Sequence, residues 1–168
     1  GFAPTSTRPR REPSAPIIQI TPNVPGTSSD LGVTITTDST DPDGDVIQLY
    51  RIVWGKVGKR IVDESRSVQA SETLKDDVWQ VTVTPRTNPY GVALVDGANS
   101  ATAQVTVGNT VPTAIPQARL AVAVGDSLDI QLTGQDVDAD QGRDILTFDI
   151  PTAPSTAAGE YLASFTTP

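Results

Sequence analysis

From residue 17 onward, short runs of alternating apolar and polar residues recur along the chain, separated by segments rich in Pro, Gly, Asp, Ser and Thr. A period of two is the signature of a strand, because successive side chains of an extended chain point to opposite faces. Strands are predicted over 17–21, 32–37, 46–54, 60–63, 65–70, 78–84 and 101–108. In 78–84, Trp79, Val81 and Val83 fall on one face and Gln80, Thr82 and Thr84 on the other. In 101–108, Ala101, Ala103, Val105 and Val107 repeat the scheme. Strands apolar on one face must bury that face against a second layer, which predicts an all-β sandwich over 17–112. The small inward residues of the last strand leave room for Trp54 or Trp79, both expected in the core rather than at a ligand platform. No stretch carries the 3.6-residue period of an amphipathic helix.

On either side the pattern changes. Residues 1–16 (GFAPTSTRPRREPSAP) hold four Pro and the cluster Arg8, Arg10 and Arg11 without apolar periodicity. They predict an extended arm of polyproline or unstructured character. As a positive patch on an acidic chain, the arm is expected to lie on another chain or a neighbouring domain. Residues 108–116 (GNTVPTAIP) hold two Pro and no apolar run, and mark a domain boundary. Further strands are predicted over 119–124, 127–132 and 145–150, with a last one at 161–166. Residues 113–168 number only 56, against 96 in 17–112, so the second β-sandwich module is incomplete. Either the chain is a piece of a longer one, or strands from a neighbour complete this module and cover its open edge. The start at Gly1 rather than Met points to a processed or fragmentary product.

The two modules echo one another. Leu31, Val33 and Ile35 correspond to Leu128, Ile130 and Leu132, and Asp41 and Asp43 to Asp138 and Asp140, each pair 97 residues apart. A period that long, one sandwich plus a linker, is that of an array in which each unit buries its own core and meets its neighbours.

Composition narrows the chemistry. The chain has no Cys, His or Met, which removes thiol chemistry, imidazole acid–base work and soft-metal sites. A formal charge of −8 opposes nucleic-acid binding, and 5% aromatic residues cannot furnish platforms for stacking bases or sugars. No apolar stretch approaches the roughly 20 residues of a membrane span. The Walker-type phosphate loop does not occur, and the basic GKVGKR segment at 55–60 reads as an exposed hairpin turn.

The most chemical feature is a pair of carboxylate clusters. Asp38, Asp41, Asp43 and Asp45 fall within eight residues, and Asp136, Asp138, Asp140 and Asp144 within nine. Ca²⁺ takes six to eight oxygens in irregular geometry, so clustered Asp between two strands is a natural ligand source. Neither cluster is an EF-hand. Counted from Asp41, Gly44 is fourth and Ile52 twelfth; counted from Asp136, Gly142 is seventh and Thr147 twelfth. Asp, Pro and Gly also make tight turns without any metal, since Asp caps its own backbone and Gly44 can take positive φ. Both readings stand at this point. Asp77 joins the ligand set only if the fold brings it to the first cluster.

The run DSTDPDGDVIQLYRIVWGKVGKRI, the later LKDDVWQVTVTP and the closing ATAQVTVGNTVPT resemble the immunoglobulin-like repeats carried in tandem by large bacterial and archaeal surface proteins. Tyr50, Trp54, Asp77 and Trp79 stand at the motif positions of those repeats, with Asp76 where Gly is frequent. A second similarity, over 117–150, is to the cadherin-like modules of the same proteins. The resemblance implies an immunoglobulin-like β-sandwich over 17–112 followed by a partial immunoglobulin- or cadherin-like module over 113–168. It further implies an extracellular, cell-surface or periplasmic setting. The class hosts adhesins, surface layers, sheaths and enzyme appendages alike, so fold does not give function.

The function expected is that of a structural and interaction module in an extracellular or cell-envelope assembly. Its partners would be other subunits, reached through the arm and the second module. The alternative is a calcium-dependent adhesion or ligand-binding module appended to a larger secreted protein. Catalysis is not expected, because acid and base roles need carboxylates facing one another across a cleft, not crowded on one turn.

Overall fold

The computed structural model describes residues 9–63, 66–88, 93–115, 131–149 and 164–166. Strand β1 (Ile17–Thr21) pairs antiparallel with β2 (Leu31–Thr37), and β2 pairs with the short β5 (Ser67–Val68). A second antiparallel sheet is built on two ten-residue strands, β3 (Ile47–Lys56) and β6 (Val78–Thr87). Strand β4 (Lys59–Asp63) lies outside β3. On the other side of β6, β7 (Val95–Asp96) pairs with Arg86 and Thr87, and β8 (Ala101–Thr106) pairs with residues 78–83.

Both sheets feed one core. Ile20, Leu31 and Val68 come from the first, Trp54, Trp79, Val81, Val83 and Val105 from the second, and Val107 from the chain just beyond β8. Burial alternates strictly along β6, as the sequence pattern predicts. Trp54 is fully buried and stands directly across from Val81 in the β3–β6 register. The protein is thus an antiparallel all-β fold, and both tryptophans are core residues. Among the described residues no helix is long and apolar enough to cross a membrane.

Several elements differ from the sequence pattern, each for a local reason. The strand expected over 65–70 shrinks to β5, because Gln69 and Glu72 form a capping box around a 3-10 turn at Ala70–Glu72. Its Ser65 lies outside the described residues. Strand β6 runs past Thr84 and through Pro85, whose carbonyl accepts the Gly97 N–H at 2.8 Å. Strand β8 stops at Thr106, because the next two amides turn away to other acceptors. Val107 N–H donates to the Asp77 carbonyl, and Gly108 N–H to that of Pro25.

Within the stretch read as a plain linker, β9 (Thr113–Ala114) pairs with β10 (Gly134–Gln135). A short helix, α1 (Val137–Asp140), occupies the second aspartate cluster, where the sequence predicted only a turn. Strand β11 (Thr147–Asp149) pairs with β12 (Ser164–Thr166), within the runs expected at 145–150 and 161–166, of which residues 150 and 161–163 lie outside the described residues. The strand expected at 119–124 and most of that at 127–132 lie outside the described residues.

Of the two settings expected for the arm, residues 9–16 take the neighbouring domain: they lie on the sheets they precede. Pro13 and Pro16 are buried, and Ser14 exchanges backbone and side-chain hydrogen bonds with Thr40, at 2.9 Å in each direction. Asn99 Nδ2 donates to the Pro13 carbonyl at 2.8 Å, and Ala98 N–H to the Glu12 carboxylate at 3.1 Å.

Candidate functional site

The two aspartate clusters sit at opposite ends of β3. At its start, DSTDPDGD folds into a tight turn through its own side chains. Asp41 Oδ1 accepts the N–H of Asp43 at 2.8 Å and that of Asp45 at 3.4 Å, and Gly44 N–H closes on the Asp41 carbonyl. Gly44 takes φ +86°, which only glycine adopts without strain. Tyr50, projecting from β3, accepts the Ser39 N–H at 2.7 Å and donates to Asp38 Oδ1 at 3.2 Å.

The outer carboxylates of this turn are held by the arm. Arg11 donates to Asp43 through both its backbone N–H, at 2.6 Å, and its Nε, at 2.9 Å, and its guanidinium also reaches the Pro42 carbonyl. Arg10 Nε pairs with Asp45 at 3.3 Å, and its Nη2 donates to Thr87 Oγ1 at 2.6 Å. The arm therefore supplies two cations to a turn that carries four carboxylates.

Beside the turn lies an open cavity of about 480 Å³, walled by Asp38, Ser39, Asp41, Asp45, Ile47 and Tyr50 among others. Two buried oxygens of this wall, Ser39 Oγ and Asp41 Oδ2, have no hydrogen-bond partner among the described residues. Leaving a buried acceptor unmet costs free energy, so such atoms single out the places where a donor or cation is missing.

The second cluster is wired differently. Asp136 is the N-cap of α1, its Oδ1 accepting from Asp138 N–H at 2.8 Å and Ala139 N–H at 3.4 Å. Its Oδ2 is buried without a partner among the described residues. Asp138 is fully buried and is a tether: Oδ1 accepts from Thr27 Oγ1 and Oδ2 from Thr110 N–H, each at 2.7 Å. Asp144 takes the Lys75 ammonium at 2.5 Å and the Ile145 N–H at 2.8 Å. Asp140 is exposed.

Asp77 does not meet the first cluster. It sits at the far end of β3, where Lys56 pairs with it and Leu74 N–H donates to it at 2.8 Å. The same ammonium lies 6.0 Å from the centre of the Trp79 ring, within cation–π range. Among the described residues, no three acidic side chains converge closely enough to hold a metal ion. The 97-residue correspondence is not one of roles either: Asp41 caps a turn, whereas its counterpart Asp138 anchors one segment to another.

Sequence reasoning identified the acidic positions but missed their partners Thr27, Lys75 and Thr110, which lie far away in the chain and belong to no motif. The opposite charge of Arg10 and Arg11 was the one available signal for the docked arm.

The Lys75–Asp144 pair has a pH signature. The Lys75 hydrogen bond, then the Ile145 N–H, hold the Asp144 carboxyl below its ordinary value of 3.8, and the Asp144 hydrogen bond raises Lys75 above 10.5. A lowered carboxyl stabilises the fold above its ordinary value and loses that contribution as pH falls through the folded value. A raised ammonium stabilises below its ordinary value and loses that contribution as pH rises through the folded one. The tether is therefore strongest between the two, and acid loosens residues 131–149. NMR titration of these amides should show an acid-side transition that Asp144→Asn removes; an unchanged titration in the variant would discount the pair.

Comparisons with protein-family models, with curated proteins and with solved structures find no match for this chain.

Proposed function

We propose that the chain is a structural and interaction module of an extracellular or cell-envelope assembly, such as a surface layer, sheath, fibre or peripheral subunit. The observation that carries this reading is the use of the two aspartate clusters. Each ties a flanking segment to one end of the sandwich: the arm through Asp43 and Asp45, and residues 131–149 through Asp138 and Asp144. Strands β3 and β6 separate these ends by roughly 30 Å, at about 3.3 Å per residue. A rod-like spacer with fixed entry and exit is the result.

The strand order β1-β2-β5 and β4-β3-β6-β8 supports an immunoglobulin-like assignment of the sandwich, with residues beyond 112 as the start of a further module. Exposed apolar side chains on the segments that meet at the far end, Val24, Val111, Ile115, Val137 and Ile145, supply contact surface for neighbouring subunits. Sedimentation at increasing protein concentration, with and without calcium, tests the proposal. Concentration-dependent association is expected; a monodisperse monomer throughout would count against an assembly subunit.

The second reading, a calcium-dependent adhesion or ligand-binding module of a larger secreted protein, draws on the cavity beside the first turn and its two unmet oxygens. It predicts a saturable ligand in a screen of glycans and receptor ectodomains that is lost on adding a chelator.

A further inference from the structure

The first turn combines unmet oxygens with a neighbouring cavity and with carboxylates held by the arm. Ser39, one of the residues lining the cavity, is only 5% exposed, and its buried Oγ has no partner among the described residues. The buried Oδ2 of Asp41, another lining residue, is likewise unmet among the described residues, while Asp41 Oδ1 is used by the turn itself. The next oxygens, those of Asp43 and Asp45, are committed to Arg11 and Arg10. With the arm docked, no three carboxylates converge among the described residues; its guanidinium groups hold Asp43 and Asp45, and a hard cation would draw on the same carboxylates once the arm lets them go. Two such groups carry the charge of one divalent ion, so exchanging them leaves the charge balance of the turn intact. The Arg11–Asp43 and Arg10–Asp45 pairs are partly exposed, with arginine side chains 48% and 24% accessible, and ion pairs of that kind exchange readily.

We propose that the turn at residues 38–45 binds a hard divalent cation of the calcium class in exchange for the N-terminal arm, so that the arm is a built-in counter-ion and cation binding releases it. This rests on the cation reading of the first cluster. Release frees a Pro-rich, Arg-bearing segment for a neighbouring acidic surface, coupling ion level to contact formation. The second cluster also holds an unmet buried oxygen, Asp136 Oδ2, but it has no arm cations to exchange: both oxygens of Asp138 are met by protein donors, and Asp144 is paired with Lys75.

Calcium titration of the full chain by calorimetry, with hydrogen exchange followed at the Arg11 and Ser14 amides, tests both halves. These amides donate to Asp43 and to the Thr40 carbonyl only while the arm is docked. Calcium should abolish their protection. Two variants should tighten calcium binding by a factor between about 5 and 150, the usual range of coupling between linked sites. One is the double change Arg10→Gln and Arg11→Gln. The other is Gly97→Ala, whose added Cβ would sit 2.8 Å from Pro13 Cγ and push the arm off without altering any charge. Asp41→Asn keeps the turn-capping oxygen, replaces the unmet one with an amide, and should lose calcium binding. Binding in the arm variants alone would still support the exchange, with the arm as the stronger competitor. If neither wild type nor arm variants bind calcium, the cation reading falls and this inference with it. If the wild type binds with its arm amides still protected and the variants bind no tighter, the exchange is overturned while the cation site stands.

Discussion

Replacing Trp54 with alanine lowers the unfolding free energy by about 3–5 kcal/mol. A domain of this size has about 5–15 kcal/mol in total, so the variant sits close to its folding threshold. The cost is large because the core cannot close over the void. Trp54 is fully buried, and the other residues of the same core are chiefly Val side chains on two hydrogen-bonded sheets. The backbone ladder keeps each sheet stiff, so the short side chains it carries cannot move singly into the void to compensate. Trp54→Phe should cost less, since it keeps most of the ring volume and deletes an indole N–H that has no partner among the described residues. Urea titration followed by far-UV circular dichroism measures both. A Trp54→Ala loss below about 1.5 kcal/mol, the range of well-tolerated volume-conserving swaps, would mean that the core does collapse and that the two sheets are not rigidly spaced.

The second large effect is local rather than global. Asp138→Ala leaves the half-buried Thr110 N–H without its acceptor, which costs up to about 1–3 kcal/mol, and the penalty falls on the docking of residues 131–149. Asp138→Asn behaves differently. Its amide oxygen can accept the Thr110 N–H, and its amide nitrogen can donate to Thr27 Oγ1. That hydroxyl then donates to Thr110 Oγ1, which lies 2.7 Å away. The asparagine variant should therefore hold the segment nearly as well as the wild type, and the alanine variant should release it. Hydrogen exchange of the Gln141 and Arg143 amides, which close on the Val137 and Asp138 carbonyls, reports the difference without requiring global unfolding. Equal loss in both variants would show that the carboxylate's charge, not its two acceptors, makes the tether.

Much of this fold is legible because strand pattern is a local property. The alternation in residues 78–84 and 101–108 identifies the buried faces of β6 and β8, and the size of Trp54 and Trp79 places them in the core, since nothing smaller fills the space between sheets. The differences at strand ends are equally physical. Pro85 looks like a strand terminator, but its carbonyl still serves the pairing through Gly97 N–H, so β6 continues. Conversely, Ser67–Val68 is cut short by a capping box whose two members, Gln69 and Glu72, carry no apolar signal.

The aspartates divide along the same line. Their density, the Pro–Asp–Gly turn and the positive φ at Gly44 follow from the sequence alone, because an Asx-capped turn is settled within five residues. Whether a given carboxylate meets Arg11, Lys75 or Thr27 depends on chain segments 32, 69 and 111 residues away. Only folding brings these together. The sequence by itself determined the all-β class, the buried faces and the placing of acidic turns beside strands. The tertiary structure decided that the arm folds back on its own sandwich, that Asp77 lies a full strand away from the first cluster, and that look-alike clusters became a strapped turn and a buried tether. Hydrophobic period is written in neighbouring residues, whereas charge finds its partner only across the fold.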